Sequence, residues 1–321
     1  MLKIKNFTIW FMLGVLTFMP LLLPNRYYTY IFNRGLANGI AAIGLVILFG
    51  IGGQISLGHV AFFALAAYCS AILSSALGWP VFLTIIIGVL FASLWGGLLS
   101  IPAFKLSGPF LSICTVAFGE VVRLLVVNLE SLTNGPYGLY NIHPLAFGSF
   151  KLIKDIQWYY LLLGFVLLSV ISALRLKKSY LGRALTAIRE DETAAELMGV
   201  NIRHLKALAF IAAAFYAGIA GALYAHFAGF LSPELITGDQ SFNLFTMAII
   251  GGQESVIGSI WSGLGLTLMP ELMRFLQEYY MMLFSLIVLF VVLLPWQSIG
   301  ERLWERLKII RKGVPSRENH S

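Results

Sequence analysis

The side chains best suited to chemistry are polar residues inside two long apolar stretches. Residues 52–58 read GGQISLG and residues 251–257 read GGQESVI, so two glycines, a glutamine, a spacer and a serine occur twice. Amide, hydroxyl and imidazole groups can hydrogen-bond a small solute, and a glycine pair is where a membrane helix can break. We therefore predict two interrupted helices that line a path. The predicted path residues are Gly52, Gly53, Gln54, Ser56, His59, Gly251, Gly252, Gln253 and Ser255.

Catalysis within the membrane is disfavoured by the motifs that the sequence lacks. There is no HExxH, no GxSxG and no pair of carboxylates at helical spacing inside an apolar run. Cys69 and Cys114 lack metal-ligand spacing, so we interpret them as small packing residues. We predict no catalytic residue, no metal site and no cofactor in this chain.

The rest of the chain has the composition of an integral membrane protein. Hydrophobic residues make up 59% of it, charged residues 12%, and the mean hydropathy is +0.84. A span of the bilayer needs about 20 apolar residues. The predicted spans are 7–23, 35–51, 58–77, 80–103, 107–128, 158–174, 206–230 and 279–296, with 241–269 ambiguous. The predicted fold is an all-α polytopic transmembrane helical bundle in a single domain, 1–321.

Lys and Arg residues set the expected orientation. They cluster in 175–206 and in the tail after 300, so we predict that both face the cytoplasm and that 129–157 is external. Lys3 and Lys5 place the N-terminus inside, and the first span is an anchor and not a cleaved signal. Arg26 and Arg34, in the predicted first outer loop, argue against this orientation. The net charge of +7 is attributed to membrane insertion and not to nucleic-acid binding.

The ambiguous stretch 241–269 must contain an even number of crossings between the two cationic segments. Neither 241–250 nor 256–269 is long enough to span a bilayer alone at 1.5 Å per residue. We predict two half-helices or a re-entrant hairpin, broken at the second GGQ run. Matching interruptions in two halves are typical of an internal repeat with a path between its copies.

Residues 180–206 contain the most informative polar segment. Charged residues flank Ala194 and Ala195, and Gly199 is a predicted helix stop, so a short solvent-facing helix is expected. Small side chains allow a partner to approach closely, and surrounding charges fix its orientation. The alternative is an ordinary cationic loop.

Six runs in register resemble one family. They are GGQISLGHVAFFALAAYCSAIL, KLSGPFLSICTVAFGEVVRLL, LTNGPYGLYNI, LGRALTAIREDETAAELMGVNIRHLKALAF, AGIAGALYAHFAGFLSP and the run 240–263. Together they are similar to the LivM-type permease subunits of branched-chain amino acid ABC importers, in the order found in that family, from residue 37 to about 270. The block from KLSGPF to NGPYGL favours this subunit type over its LivH-type partner.

The resemblance implies a subunit without its own ATPase site, in the bacterial inner (plasma) membrane, with both termini in the cytoplasm. Its implied partners are a homologous LivH-type permease, two cytoplasmic ATP-binding subunits that bind ATP and Mg, and a periplasmic substrate-binding protein. The family's coupling pattern is Glu-Ala-Ala, three residues, Gly, and Thr193 stands where Glu is usual. The implied coupling-loop residues are Arg183, Arg189, Glu190, Glu192, Ala194, Ala195, Glu196 and Gly199.

Two alternatives remain open at this point. Permeases for urea or short amides resemble the same family, and a passive channel for small neutral solutes could use the same polar residues. A channel, however, has no need of an ATPase-binding helix. Glu120 and Arg123, three residues apart, are interpreted as a structural ion pair.

Overall fold

Helices form nearly all the regular structure of the computed structural model. It describes residues 14, 16–20, 25–104, 106, 108–147 and 150–273, with isolated positions between 282 and 289. The predicted span 279–296, most of 7–23 and the cationic tail therefore lie outside the described residues. Within them the fold is the all-α polytopic helical bundle that the sequence predicted.

The helices are bounded as follows: α1 Arg26–Leu45, α2 His59–Ser75, α3 Val81–Ala103, α4 Pro109–Asn128, α5 Glu130–Thr133, α6 Asp155–Lys178, α7 Tyr180–Glu190, α8 Glu192–Leu197, α9 Ile202–Ala228, α10 Gly238–Ile250 and α11 Val256–Leu272. A hairpin of two-residue strands, β1 Ala146–Phe147 and β2 Phe150–Lys151, interrupts the chain before α6. Among the described residues, five helical segments are long and apolar enough to cross a membrane. They are α1 extended to Ile51, α3, α4, α6 and α9.

Helix α1 begins nine residues before the predicted span 35–51. No strong helix breaker stands after Asn25, so the helix continues from Arg26 through Leu45 and then widens into a π-helical stretch, Val46–Ile51. Arg34, which the sequence assigned to an outer loop, consequently lies within this helix.

Glycines let α1 and α11 pack at close range. Gly35 faces Leu264 and Gly39 faces Ile260, and a side chain at either glycine would crowd the α11 backbone. The two glycines lie four residues apart and so share one helix face. This contact ties the first part of the chain to the second.

Helix α9 packs against α1, α2 and α3 and forms the centre of the bundle. Its small residues again allow close approach, since Gly218 faces Val89 of α3 and Gly221 faces the Phe63 backbone of α2. Aliphatic and aromatic side chains of the same helices fill the core around them.

Contacts at the helix ends define two opposite faces. At the first, named here the 129–157 face, Arg26 and Asp155 form an ion pair of 3.5 Å, and Leu139 bridges to Leu231 through backbone hydrogen bonds. At the second, the 175–206 face, Lys177 Nζ donates to Glu254 Oε2 at 2.8 Å. The turn between α10 and α11 therefore lies on the 175–206 face, and 241–269 forms two helices that lead to and from it.

Residues Met1–Met273 form one compact unit. Residues from Arg274 onward belong to a second unit, and most of them lie outside the described residues. The assignment of 1–321 to a single domain stays a prediction.

Candidate translocation and coupling site

The two GGQ segments end their helices in the same way. The first glycine of each pair, Gly52 or Gly251, keeps a helical backbone. The second has a positive φ, 67° at Gly53 and 95° at Gly252, which L side chains rarely adopt. Both segments are interrupted where the sequence predicted. Similar left-handed conformations at matching positions agree with the predicted internal repeat.

The two interruptions also lie against each other. A Cβ placed on Gly50 would overlap the backbone carbonyl of Gln253, so the chains touch with no room for a side chain. The Phe49 and Phe245 rings pack beside this contact in a tilted arrangement, with centroids 5.0 Å apart. The end of α1 and the turn after α10 therefore meet on the 175–206 face.

Burial distinguishes the first segment from the second. Gln54, Ser56 and His59 are buried, whereas Gln253 and Ser255 are exposed. Among the described residues, both amide atoms of Gln54, the Ser56 hydroxyl and His59 Nδ1 have no hydrogen-bond partner. A buried polar atom without a partner costs about 1–3 kcal/mol, and water or a ligand usually satisfies it. The first segment therefore provides clustered, unused hydrogen-bonding groups inside the bundle.

The segment predicted as one solvent-facing helix consists of two. Helix α7 ends at Glu190, and the Asp191 carboxylate caps α8 by accepting a hydrogen bond from the Ala194 amide at 3.0 Å. Gly199, with φ of 81°, ends α8, and the Val200 amide donates to the Ala195 carbonyl at 3.1 Å. The predicted stop at Gly199 is confirmed.

The two alanines of this segment differ in exposure. Ala194 is exposed, but Ala195 is only 5% exposed and packs inside the chain. Beside Ala194, Leu197 and Met198 are 83% and 84% exposed. Large apolar side chains this open to solvent are typical of a contact surface for another protein. Sequence reasoning missed both, although two adjacent apolar residues in a polar segment were a usable signal.

Some charged residues predicted for the coupling loop contact partners within the chain, and others form no ion pair among the described residues. Glu192 pairs with Lys206 at 2.7 Å, and the Arg183 guanidinium donates to the Lys178 carbonyl at 2.7 Å. Glu190 and Glu196 are exposed and take part in no ion pair within the described part of the chain. These two carboxylates are the ones available to a partner.

Arg189 connects α7 to both interrupted segments. One guanidinium nitrogen donates to the Gly50 carbonyl, and Nη2 donates to Glu254 Oε1 at 2.8 Å. Its aliphatic stem packs on Gly53. Lys177 holds the other carboxylate oxygen of Glu254 and its backbone carbonyl, both at 2.8 Å. Hydrogen bonds from Lys177, then from Arg189, keep the pKa of Glu254 below its ordinary value.

The sequence predicts structural roles for one ion pair and for the two cysteines. Arg123 contacts both carboxylate oxygens of Glu120, which confirms the predicted ion pair on α4. Cys69 and Cys114 are free and half-buried. Across the described ranges, no cluster of three or more His, Cys, Asp or Glu side chains could hold a metal ion.

An all-α bundle with five membrane-length helices among its described residues is a polytopic membrane protein, and its two interrupted segments meet beneath one loop. The family described as "Branched-chain amino acid transport system / permease component" matches residues 27–293. The chain belongs to this family.

Individual relatives agree with the family match. The chain is 35% identical over 284 residues to the high-affinity branched-chain amino acid transport system permease protein LivM of Escherichia coli K12, covering 81% of this chain and 66% of that one. It is 26% identical to LivH of the same strain, over 83% of this chain and 92% of the relative. The probable LivM of Methanocaldococcus jannaschii is 28% identical, over 65% and 61%.

The chain thus spans slightly less than two thirds of the length of the LivM relatives. No solved structure matches it.

Proposed function

We propose that this chain is the membrane-spanning permease subunit of an ATP-driven ABC importer that moves branched-chain or other hydrophobic amino acids into the cell by alternating access. The observation that carries the proposal is the contact of Arg189 with Gly50 and Glu254. Through it, one helix of the 175–206 loop holds both interrupted segments together. The family and the names of its relatives support the transport of branched-chain amino acids.

The geometry suggests how an ATPase cycle would reach the path. A partner can shift a conformational equilibrium only through contacts that differ between the states. Ala194, Leu197 and Met198 present an exposed docking surface, and Arg189 joins the same loop to the interrupted segments. Movement of the docked loop would therefore pull on both GGQ segments at once. The side-chain atoms of Gln54, Ser56 and His59 that have no hydrogen-bond partner among the described residues would then become accessible from the translocation path.

The partners belong to this proposal. Two cytoplasmic ATP-binding subunits would hold ATP and Mg and hydrolyse ATP. One of them would dock on the 175–206 face. A periplasmic substrate-binding protein would approach the 129–157 face.

A homologous LivH-type permease would pack on α4. This helix carries the charged pair Glu120 and Arg123 beside exposed apolar side chains such as Ile113 and Val121. A charged pair is costly against lipid tails, so a protein partner covering that face would stabilise it. Location in the plasma (inner) membrane, as a multi-pass protein with both termini in the cytoplasm, completes the proposal.

Reconstitution of the whole complex tests the function. The permease pair and the ATPases are placed in proteoliposomes with ATP inside, and leucine-loaded binding protein is added outside. We expect leucine to accumulate against its gradient, and accumulation to stop without ATP. Equilibration of leucine or urea without ATP would instead support a passive channel, and ATP-driven uptake of urea but not leucine would support the amide-permease alternative.

A further inference from the structure

We propose that Arg34 marks a binding site for the carboxylate of the transported amino acid, in a cleft between the two halves of the bundle. This inference rests on the proposed function and names a substrate contact that the GGQ segments do not supply.

The position of Arg34 is unusual for a charged residue. It lies eight residues into α1, within a segment long and apolar enough to cross a membrane, and is half-buried. Within the described ranges, none of the ion pairs involves it. A cation inside a membrane span is costly and usually serves an ion or substrate pathway.

The cleft around Arg34 combines polar and apolar groups. Asn38, Tyr224 and Gln240 line it beside Arg34, and Phe63 and Leu244 contribute apolar walls. Arg is well suited to bind a carboxylate through a bidentate, charge-assisted contact. The apolar walls suit a branched or aromatic side chain. This is the chemistry of a zwitterion with a hydrophobic side chain.

The location of the cleft agrees with a path between repeats. Its walls come from α1 and α2 in the first half and from α9 and α10 in the second. Val60, another lining residue, follows His59 directly, and its amide donates to Ser241 Oγ of α10 at 3.4 Å. The empty space is about 310 Å3 with the open mouth included, and the interior is narrow in this conformation. An amino acid would enter only as the cleft widens, which alternating access requires of its binding site.

The proposal also separates substrate classes. An amino acid offers a carboxylate to Arg34, whereas urea and short amides do not. A half-buried cation left without a partner would disfavour those neutral solutes. The cleft therefore favours amino acids as cargo.

Charge removal at Arg34 tests the site in the reconstituted complex. Arg34→Gln is expected to lower leucine uptake by about 10- to 100-fold, because it removes one charge-assisted hydrogen bond to the substrate. Association with the ATPase should be retained. Arg26→Gln is the matched control because it removes from the same helix an exposed Arg whose 3.5 Å ion pair with Asp155 lies outside the cleft. Its uptake is expected to stay near that of the unmodified complex.

Chemical rescue separates charge from shape. With Cys69 and Cys114 changed to Ser, Arg34→Cys should transport poorly, and attachment of an aminoethyl thiol group should restore part of the uptake. An uncharged methyl thiol adduct should not. If Arg34→Gln fails to assemble, Arg34→Lys tests the need for a positive charge instead, because it keeps that charge. Leucine uptake by Arg34→Lys is expected to exceed uptake by Arg34→Cys.

The result that overturns the site is unimpaired leucine uptake by an assembled Arg34→Gln complex, or equal rescue by the charged and uncharged adducts. Arg34→Lys no better than Arg34→Cys would also overturn it. In each case the unmodified complex still transports leucine, so the proposed function survives. Failure of the unmodified complex to take up leucine would instead remove the function itself.

Discussion

Arg189 Nη2 lies 2.8 Å from Glu254 Oε1, so helix α7 of the 175–206 loop is fixed to the turn between α10 and α11. The same guanidinium holds the Gly50 carbonyl at the end of the first interrupted segment. One side chain thus joins three parts of the chain that are far apart in sequence. This contact leads to the first prediction.

Removing either Arg189 or Glu254 should reduce the coupling of ATP hydrolysis to transport more than it reduces assembly of the complex. We expect Arg189→Gln and Glu254→Gln each to lower the leucine moved per ATP hydrolysed. The double variant should be less than additive, because the two residues share one interaction. The pair itself is worth about 0.2–1 kcal/mol, since both side chains are partly exposed. Arg203→Gln, on the same segment, is the control. Strict additivity of the two effects would contradict a shared contact.

Glu254 should make stability depend on pH. Hydrogen bonds from Lys177 and Arg189 lower its folded-state pKa below the unfolded value. Its stabilising contribution is therefore present above the unfolded pKa and is lost as the pH falls through the folded pKa. We expect the Tm difference between wild type and Glu254→Gln to be constant near neutral pH and to shrink in acid. A difference that grows in acid would show that the ion pairs do not form.

The left-handed conformation at Gly252 should be required for transport. Val there would be strained at φ of 95°, and its Cβ would lie only 3.3 Å from the Ser255 Cβ. We expect Gly252→Val to reduce uptake while the complex still co-purifies. Gly265→Val is the control, because that glycine lies within α11 and a Cβ there meets no atom. Equal uptake by both variants would remove the argument from the interrupted helix.

Ala194 and Ala195 should respond differently to Trp. Ala194→Trp enlarges the exposed surface, so it is expected to weaken pull-down of the ATP-binding subunits with little change in Tm. Ala195→Trp overpacks a buried position and should destabilise the permease by about 1–3 kcal/mol. Normal ATPase association in Ala194→Trp and in Met198→Ser would place the docking surface elsewhere.

Cysteine labelling should locate the two faces. In a background with Cys69 and Cys114 changed to Ser, Tyr137→Cys and Met198→Cys place a thiol on the 129–157 face and the 175–206 face, at positions 74% and 84% exposed. A membrane-impermeant maleimide added to intact spheroplasts is expected to label only Tyr137→Cys. Labelling of Met198→Cys alone would invert the proposed orientation.

Much of the membrane architecture could be predicted because it depends on local composition. Apolar runs of sufficient length specify spans, and glycine pairs specify where the π-helical extension of α1 and helix α10 end, so both interruptions lie at the predicted residues. The misplacement of Arg34 has a physical cause as well. Charge suggested a loop, but the contacts of Gly35 and Gly39 with α11 hold the helix through it.

Residues 180–206 show what residue types along the chain cannot predict. The position of this segment and its stop at Gly199 follow from residue types, but the break at Asp191 and the burial of Ala195 do not. Exposure depends on which helices pack against the segment, and that information lies far away in the chain.

The sequence by itself determined an all-helical membrane protein, its two interrupted segments and its family, because hydrophobic length, glycine conformation and residue order are local properties. Only the tertiary structure decided that Gly50 and Gln253 touch, that Arg189 holds both segments, and that Arg34 lines a cleft between the halves. Such contacts arise from packing between helices distant in sequence, and residue spacing along the chain carries no direct record of them.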